Sequence, residues 1–522
     1  MTLMLTLGTA AFGAQKTLPS GKDTGSINVT NLKPGDTVTA YQFVKADYNE
    51  YGFTGYSAIN NYVKDPVAPT AQEVIDMASN AATMTVAAEK KVATGDTEVT
   101  LNGLPVGYYL VMVTSGSETV YSPMIAGIYY SKSATDNTLT NGAISADSDF
   151  EIKAQKCWAK SSTPKLEKTI VTPSSKNSKG DDIAIGDKIT FNLSATVPSY
   201  SKEYKKVTYK IYDIMSEGLD YVDGSMKCFI EKYENNRENI KVTPKVNGGI
   251  IEITFDSKFI LEHPGQKIQV EYQAKLNEKA GVNFDANINK AYLEYSNNPA
   301  SGSTAKTGED KVYVYTFGID SNLFGKSTEK WNEKTKELIK VEEGEYQWGE
   351  TEKESGIFTT TTALEGATFT LTNNKTKKSY TATSDKYGYL KFTGLDAGEY
   401  TLRETDAPDG FTLNDAKHTV VIKAEYNQDG TLKSYTIKID DKATSTYTAT
   451  YDKGVIKTIT STKDSQGNIS ESAILKNSKM SFLPSTGGVG TTIFAIVGVV
   501  FVAVALGLHM ILRGKSKLEQ DR

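Results

Sequence analysis

Apolar and polar residues alternate with a period of two over most of this chain. IAIGDKITFNLSATV, KVTYKIYDI, GIIEITF, KIQVEYQAKL and NKAYLEYS, all between residues 183 and 296, read as half-buried antiparallel strands. Upstream, SINVTNLKPGDTVTAYQFVKA reads as strand, Pro-Gly turn and strand, and LNGLPVGYYLVMV and VYSPMIAGIYYS continue the pattern. Downstream, ATFTLTN, YLKFTGL, EYTLRET and HTVVIKA alternate between Gly/Asp turns. Thr70 to Met84 breaks the pattern: Val74, Ile75 and Met77 are spaced for one face of a helix. Val341 to Thr362, rich in Glu and Thr, lacks clean alternation and reads as an inserted hairpin or loop. Many short strands with regular turn signals predict a mainly β protein of immunoglobulin-like sandwiches. The 522 residues are too many for one core. We place three tandem domains at 15–161, 162–310 and 311–480.

Composition narrows the chemistry. With a net charge of −5, no basic excess exists to drive nucleic-acid binding. Three His and two Cys argue against a zinc site, a His-based triad or a disulfide scaffold, so no metal and no cofactor are expected. Cys157 and Cys228 fall in different units and read as free thiols. Trp158, Trp331 and Trp348 are scattered, which suits local packing better than a carbohydrate surface. No acid/base pair or nucleophile clusters as a hydrolase would need, so the chain does not read as an enzyme.

The two ends suggest where the chain works. Residues 1–14 form a short apolar run ending in small residues, which reads as the remnant of a secretory signal cleaved near Ala14; a buried first strand is the other reading. Thr491–Leu512 is apolar over the length of a membrane-spanning helix, and Arg513, Lys515, Lys517 and Arg522 follow it, fixing the tail on the cytoplasmic side. Just before it stand Leu483, Pro484, Ser485, Thr486 and Gly487. LPSTG, an apolar helix and a basic tail in that order resemble the sorting signal of Gram-positive surface proteins (segment 481–522 here). The resemblance implies that a sortase cysteine attacks the Thr486 carbonyl and releases the part from Gly487 onward. Pro484 restricts the segment, and Gly487 lets an active site approach the scissile bond. The helix would hold the chain at the membrane until cleavage.

Gly394 to Phe411, GLDAGEYTLRETDAPDGF, is similar to collagen-adhesin B-type repeats. In that family a Glu of an ETxAPxG segment promotes a spontaneous Lys–Asn isopeptide bond, which implies Glu404 here. Tyr400, Leu402 and Glu404 share strand parity, so the carboxylate faces the core side. The resemblance puts the lysine before a KVD-like signature, at Lys340 in KELIKVEE, and the asparagine in the last strand, at Asn477 in AILKNSKMSFLPSTG. Burial would lower the amine pKa and raise that of the carboxyl, and proximity would do the rest.

STPKLEKTI resembles the first strand of backbone-pilin middle domains. Leu166, Lys168 and Ile170 share a face, as do Val207, Tyr209, Ile211 and Asp213, and as do Ala291, Leu293, Tyr295 and Asn297. We expect a Lys168–Asn297 bond assisted by Asp213; Asn298 is the register-slipped alternative. The plainer reading has Lys168 reaching solvent and Asp213 capping a turn.

Taken over nearly its whole length, the chain resembles a sortase-assembled pilin of backbone type. In those pilins a Lys in a YPKN-like segment closing the first domain attacks the acyl-sortase carrying the previous subunit's Thr. Trp158-Ala159-Lys160-Ser161 occupies that place, so the resemblance implies Lys160 as the joining residue, with Lys153, Lys156 and Lys165 as competitors. The implied partners are sortase, identical subunits, the lipid-linked peptidoglycan precursor and a host-surface ligand. The implied location is a wall-anchored surface fibre. The alternatives are a monomeric wall-anchored adhesin and a tip or basal accessory pilin.

Overall fold

The computed structural model describes residues 18–115, 118–131, 142–144, 150–233, 236–319, 325–331, 339–341, 345–351, 358–385, 390–440, 443–452, 454–463 and 474–477, with backbone alone for the described residues among 232–233, 325–363, 443–444, 461–463 and 474–477. The signal remnant, the LPSTG segment and the apolar run 491–512 lie outside these residues. The described chain is mainly β, built from several sheets.

In the first part, one sheet runs Gly52–Ala58, Thr37–Asn49, Gly107–Thr114, Met124–Ser131 and Glu151–Ala154, with Val86–Lys91 also beside Thr37–Asn49. A second sheet holds Thr24–Thr30 between Glu98–Pro105 and Cys157–Trp158. Glu98–Pro105 and Gly107–Thr114, adjacent in sequence, therefore sit in different sheets. The crossing after Val106 uses Gly107 (φ +153°), where a Cβ would stand 2.2 Å from the Val44 carbonyl oxygen. Among the described residues here, the α-helix Ala71–Ser79 starts with a Thr70/Glu73 capping box and buries Ile75, Met77 and Ala78. It is shorter than its apolar spacing suggests, because Asn80 ends it by donating its side-chain amide to the Asp76 carbonyl.

The second part is a sandwich. One face runs Leu166–Ile170, Lys188–Thr196, Lys267–Leu276, Lys227–Tyr233 and Asn236–Ile240. The other runs Gly180–Asp182, Asp310–Tyr315, Asn287–Asn298, Tyr209–Met215, Ile250–Thr254 and Lys245–Asn247. Their facing residues, among them Phe191, Ile211, Val270, Tyr272, Leu293 and Val314, form one continuous core. Asp310–Tyr315 is an integral strand of this sandwich, paired with both Asn287–Asn298 and Gly180–Asp182. The chain thus leaves the sandwich near Thr316 rather than at 311. The alternation of KVYVY belongs to the preceding core, which a reading by spacing alone assigns to the next.

The third part is a seven-stranded antiparallel sheet, in the order Ser379–Thr383, Thr368–Asn373, Gly398–Asp406, Lys417–Tyr426, Leu432–Ile439, Ala443–Asp452 and Val455–Lys463. A separate sheet orders Ile339–Val341, Glu345–Thr351, Phe358–Ala363, Gly325–Trp331 and Ile474–Asn477. The expected insertion is a hairpin, Glu345–Thr351 against Phe358–Ala363.

Specific bonds close both seams. Ser161–Ser162 pairs with Val120–Tyr121, and Lys33 Nζ donates to Thr119 and Thr163. At the other seam Asp182, 5% exposed, accepts from the Ala397 N–H and, at 2.7 Å, from the Tyr426 hydroxyl. Lys378 Nζ donates to the Ile185 carbonyl at 2.6 Å and pairs with Asp187 at 3.0 Å. Burial pushes the Asp182 carboxyl up to about 6, with Asp181 and Asp396 adding to the rise and the two donors opposing it. A raised folded-state pKa means that the native chain holds the proton more tightly than the unfolded one. The stabilisation is full below the unfolded value of about 3.9 and is lost as pH rises through about 6, with a ceiling of about 3 kcal/mol. Calorimetry should therefore show the Asp182→Asn variant gaining less than the parent chain when pH falls from neutral to about 5; equal slopes would exclude Asp182 as the group responsible.

Candidate functional site

Lys168 lies in the middle of Leu166–Ile170, whose exposure alternates so that Leu166, Lys168 and Ile170 are buried. Its side chain is fully buried and crosses the gap between the two faces of the second sandwich. Its backbone is fixed: the N–H donates to Asp310 Oδ2 at 2.7 Å, and the carbonyl accepts from Lys179 Nζ at 2.6 Å. The amine meets Asp213 Oδ2 and donates to the Tyr272 hydroxyl at 3.0 Å. The rings of Phe191 and Tyr272 lie 5.0 and 5.2 Å from the nitrogen.

Asp213 reaches this point from the opposite face, on Tyr209–Met215, and is also fully buried. Its Oδ1 accepts from the Tyr272 hydroxyl at 2.7 Å. Desolvation raises the Asp213 carboxyl and lowers the Lys168 amine from their ordinary values, and each partner's charge works against the other's shift. Burial dominates both, favouring a neutral amine beside a neutral acid.

The fourth member is Asn289, fully buried, whose Nδ2 lies 2.7 Å from the Tyr272 hydroxyl and whose Oδ1 has no hydrogen-bond partner. Antiparallel pairing sets Asp213 opposite Ala291 and Met215 opposite Asn289, so acid and amide are neighbours on adjacent strands.

This geometry corrects the expected asparagine. Asn297 is on the expected strand but eight residues further on, about 27 Å along an extended chain. It is half-buried and accepts from Ser303 Oγ at 2.8 Å, at the register shift between Ser296 and Asn298 in the pairing with Ser303–Lys306. Asn298 caps a turn at the Ala300 N–H. Asn287, also buried, is consumed by Gly281 and the Val314 carbonyl. Asn289 and Tyr272 are thus the residues that sequence reasoning missed. Asn289 carried a signal, since it has the same parity as Ala291, Leu293 and Tyr295. Tyr272 carried one too, as a hydroxyl on the apolar face of KIQVEYQAKL.

In the third part Glu404 is 1% exposed and accepts from the Asn414 N–H at 2.7 Å, on the same parity as buried Tyr400 and Leu402. The backbone does not bring Lys340 to Asn477. Ile339–Val341 and Ile474–Asn477 are opposite edges of a five-stranded sheet, four strand spacings or about 19 Å apart. The strand beside Ile474–Asn477 is Gly325–Trp331, which sets Thr328 against Asn477 in parallel register. Lys326 and Lys330 share parity with Thr328. The KVE signature misleads because it belongs to the edge strand next to the inserted hairpin.

Lys160 is exposed, and its carbonyl accepts from the Ser122 N–H at 3.0 Å. Just before it, Cys157–Trp158 runs parallel to Val29–Thr30 as the edge of its sheet, leaving Trp158 71% exposed. Of the competitors, Lys153 pairs with Glu151, while Lys156 and Lys165 are exposed. Cys157 and Cys228 are free and buried in separate cores, which pushes their thiols up to about 11 and about 12.

Comparison with known proteins agrees with this organisation. Residues 22–161 match the T6 antigen Ig-like domain, 357–436 the SpaA prealbumin-like fold domain, and 476–517 the LPXTG cell wall anchor motif. The trypsin-resistant surface T6 protein of Streptococcus pyogenes serotype M6 is 26% identical, over 95% of this chain and 96% of that protein. The solved structure of the T6 backbone pilin of serotype M6 Streptococcus pyogenes, a modular three-domain protein, superposes with a TM-score of 0.58 at 21% identity, covering 89% of this chain and all of that one. With a T6-type first domain, a prealbumin-like domain and a wall anchor in one chain, the protein is a homologue of the T6 backbone pilin, carried at the cell surface by its LPXTG anchor.

Proposed function

We propose that the chain is a tensile subunit of a covalent surface fibre. Sortase cleaves after Thr486 and transfers that carbonyl to Lys160 of an identical subunit, and the last subunit passes to the peptidoglycan precursor. The role is mechanical. The chemistry the chain performs is one self-joining event within its own second domain, an amide between Lys168 and Asn289 with loss of ammonia. One observation carries this reading: a fully buried lysine with a neutral-favouring acid and a buried amide around a shared hydroxyl. A hydrogen bond contributes about 1 kcal/mol net and can be peeled by force, whereas an amide cannot.

Intact-mass measurement of the wall-released chain should fall one ammonia short of the sequence for this bond, with a branched Lys168–Asn289 peptide after trypsin. Lys168→Ala and Asn289→Ala each restore the ammonia, and Asn297→Ala does not. By chain entropy, a tie closing a loop of this length is worth about 5 kcal/mol, so either bond-breaking variant should lose on the order of 10 °C in melting temperature. Retention of the deficit in Asn289→Ala would sink the assignment.

Joining through Lys160 predicts a ladder of high-mass species in wall extracts that Lys160→Ala abolishes. A parent strain without a ladder would point to a monomeric anchored adhesin. A ladder persisting in the variant would pass the joining role to Lys153, Lys156 or Lys165. Tryptic mapping of the third domain should show whether Lys326 or Lys330 is joined to Asn477; neither peptide would mean that Glu404 serves packing alone.

A further inference from the structure

We propose that the Tyr272 hydroxyl is a catalytic proton relay for this self-joining reaction, an inference that rests on the Lys168–Asn289 assignment above. Amide exchange has a fixed proton balance. The attacking amine starts with two hydrogens and ends with one, while the leaving amide nitrogen starts with two and departs as ammonia with three. One proton must therefore travel from the lysine nitrogen to the asparagine nitrogen in a core with no solvent access.

The structure provides a short path. Asp213 touches Lys168 Nζ with Oδ2 and the Tyr272 hydroxyl with Oδ1, and that hydroxyl touches Asn289 Nδ2. With Asp213 protonated on Oδ1, attack of the Lys168 lone pair on the Asn289 carbonyl carbon forms the new C–N bond. Oδ2 then takes the proton shed by the amine. The proton on Oδ1 passes to the tyrosine oxygen, whose own proton passes to the departing nitrogen as the old C–N bond breaks. Asp213 ends protonated and Tyr272 neutral, so the step balances with no outside reagent.

The side-chain hydrogen bonds of Asp213 go to the lysine and the tyrosine. Among the described residues it is Tyr272 that links the acid to the amide by hydrogen bonds, and either orientation of the Asn289 side chain leaves that hydroxyl as its neighbour. Burial holds the Tyr272 pKa well above its ordinary value, so the group passes protons on as a neutral phenol rather than ionising. General acid–base groups contribute about 10²–10⁴-fold to such transfers.

The test times joining in the pulse-labelled full chain, by mass of the Lys168–Asn289 peptide at successive chase times. Tyr272→Phe removes one oxygen and keeps the ring beside Lys168. Its joining should slow about 10²-fold while its circular dichroism stays native and Lys168→Ala remains blank. Joining at the parental rate would overturn the relay. Should the variant not fold, the parent chain made with ring-fluorinated tyrosine supplies the second measurement, since a more acidic phenol in the relay alters the rate and an unaltered rate removes it. A parent chain that never joins ends the Lys168–Asn289 assignment and the relay together; a parent that joins fully while Tyr272→Phe keeps pace ends the relay alone.

Discussion

Lys168 carries an amine to a point that water does not reach, and the second sandwich is arranged around that point. An ammonium there would forgo its hydration, at an effective cost of several kcal/mol even with a carboxylate beside it. The surroundings do little to offset this: two aromatic rings, a phenol and one acid that is itself fully buried. The neutral pair avoids the cost, and the directions of both pKa shifts agree with it. The burial that excludes solvent from the core would thus also prepare Lys168 for its proposed role as nucleophile. Packing and reactivity are one property here, because the same facing residues supply the apolar walls and hold amine and amide together.

The sequence makes the faces of strands legible and their registers much less so. Period two identified Lys168 and Asp213 as inward residues, since each interrupts an otherwise apolar face. The same rule admits Asn287, Asn289 and Asn297 equally, because all three share parity on one long strand. Choosing among them needs the pairing of Met215 with Asn289, a non-local fact fixed by how the sheets close. In the third part the motif around Glu404 locates a strand and its buried face, but the KVE signature points to an edge strand rather than to the neighbour of the last strand. Parallel neighbours far apart in sequence, such as Gly325–Trp331 and Ile474–Asn477, leave no local trace.

The seams extend the core's logic with weaker bonds. Asp182 sits on a three-residue strand whose parallel partner, Tyr313–Tyr315, is the exit from the second sandwich, and its carboxyl meets donors from the third. The Tyr315 hydroxyl accepts from the Leu432 N–H at 2.9 Å, and Asn177 Nδ2 donates to the Asn427 carbonyl at 2.7 Å. Backbone groups of both domains are satisfied across the junction, so bending there would strand buried polar atoms. A buried carboxylate in the middle makes the seam more costly at neutral pH than a neutral side chain would.

The position of the tie follows from where force enters. On the proposed tensile role, tension on the second domain would arrive at Leu166 and depart through Asp310–Tyr315. Lys168 is two residues inside the entry, and Asn289 pairs directly with Val312 in the exit strand. The proposed amide between them would carry load from the first strand across the sandwich and into the ladder with Asp310–Tyr315, whose bonds would be sheared together rather than opened in turn. The chain between the tied residues, which holds most of the core, is then shielded from the pull. A bond to Asn297 would lack this property, because Asn297 lies past the end of that ladder, which runs from Asn287 to Ala291. The register that brings Asn289 to the amine is therefore also the register in which a single amide can shield the domain.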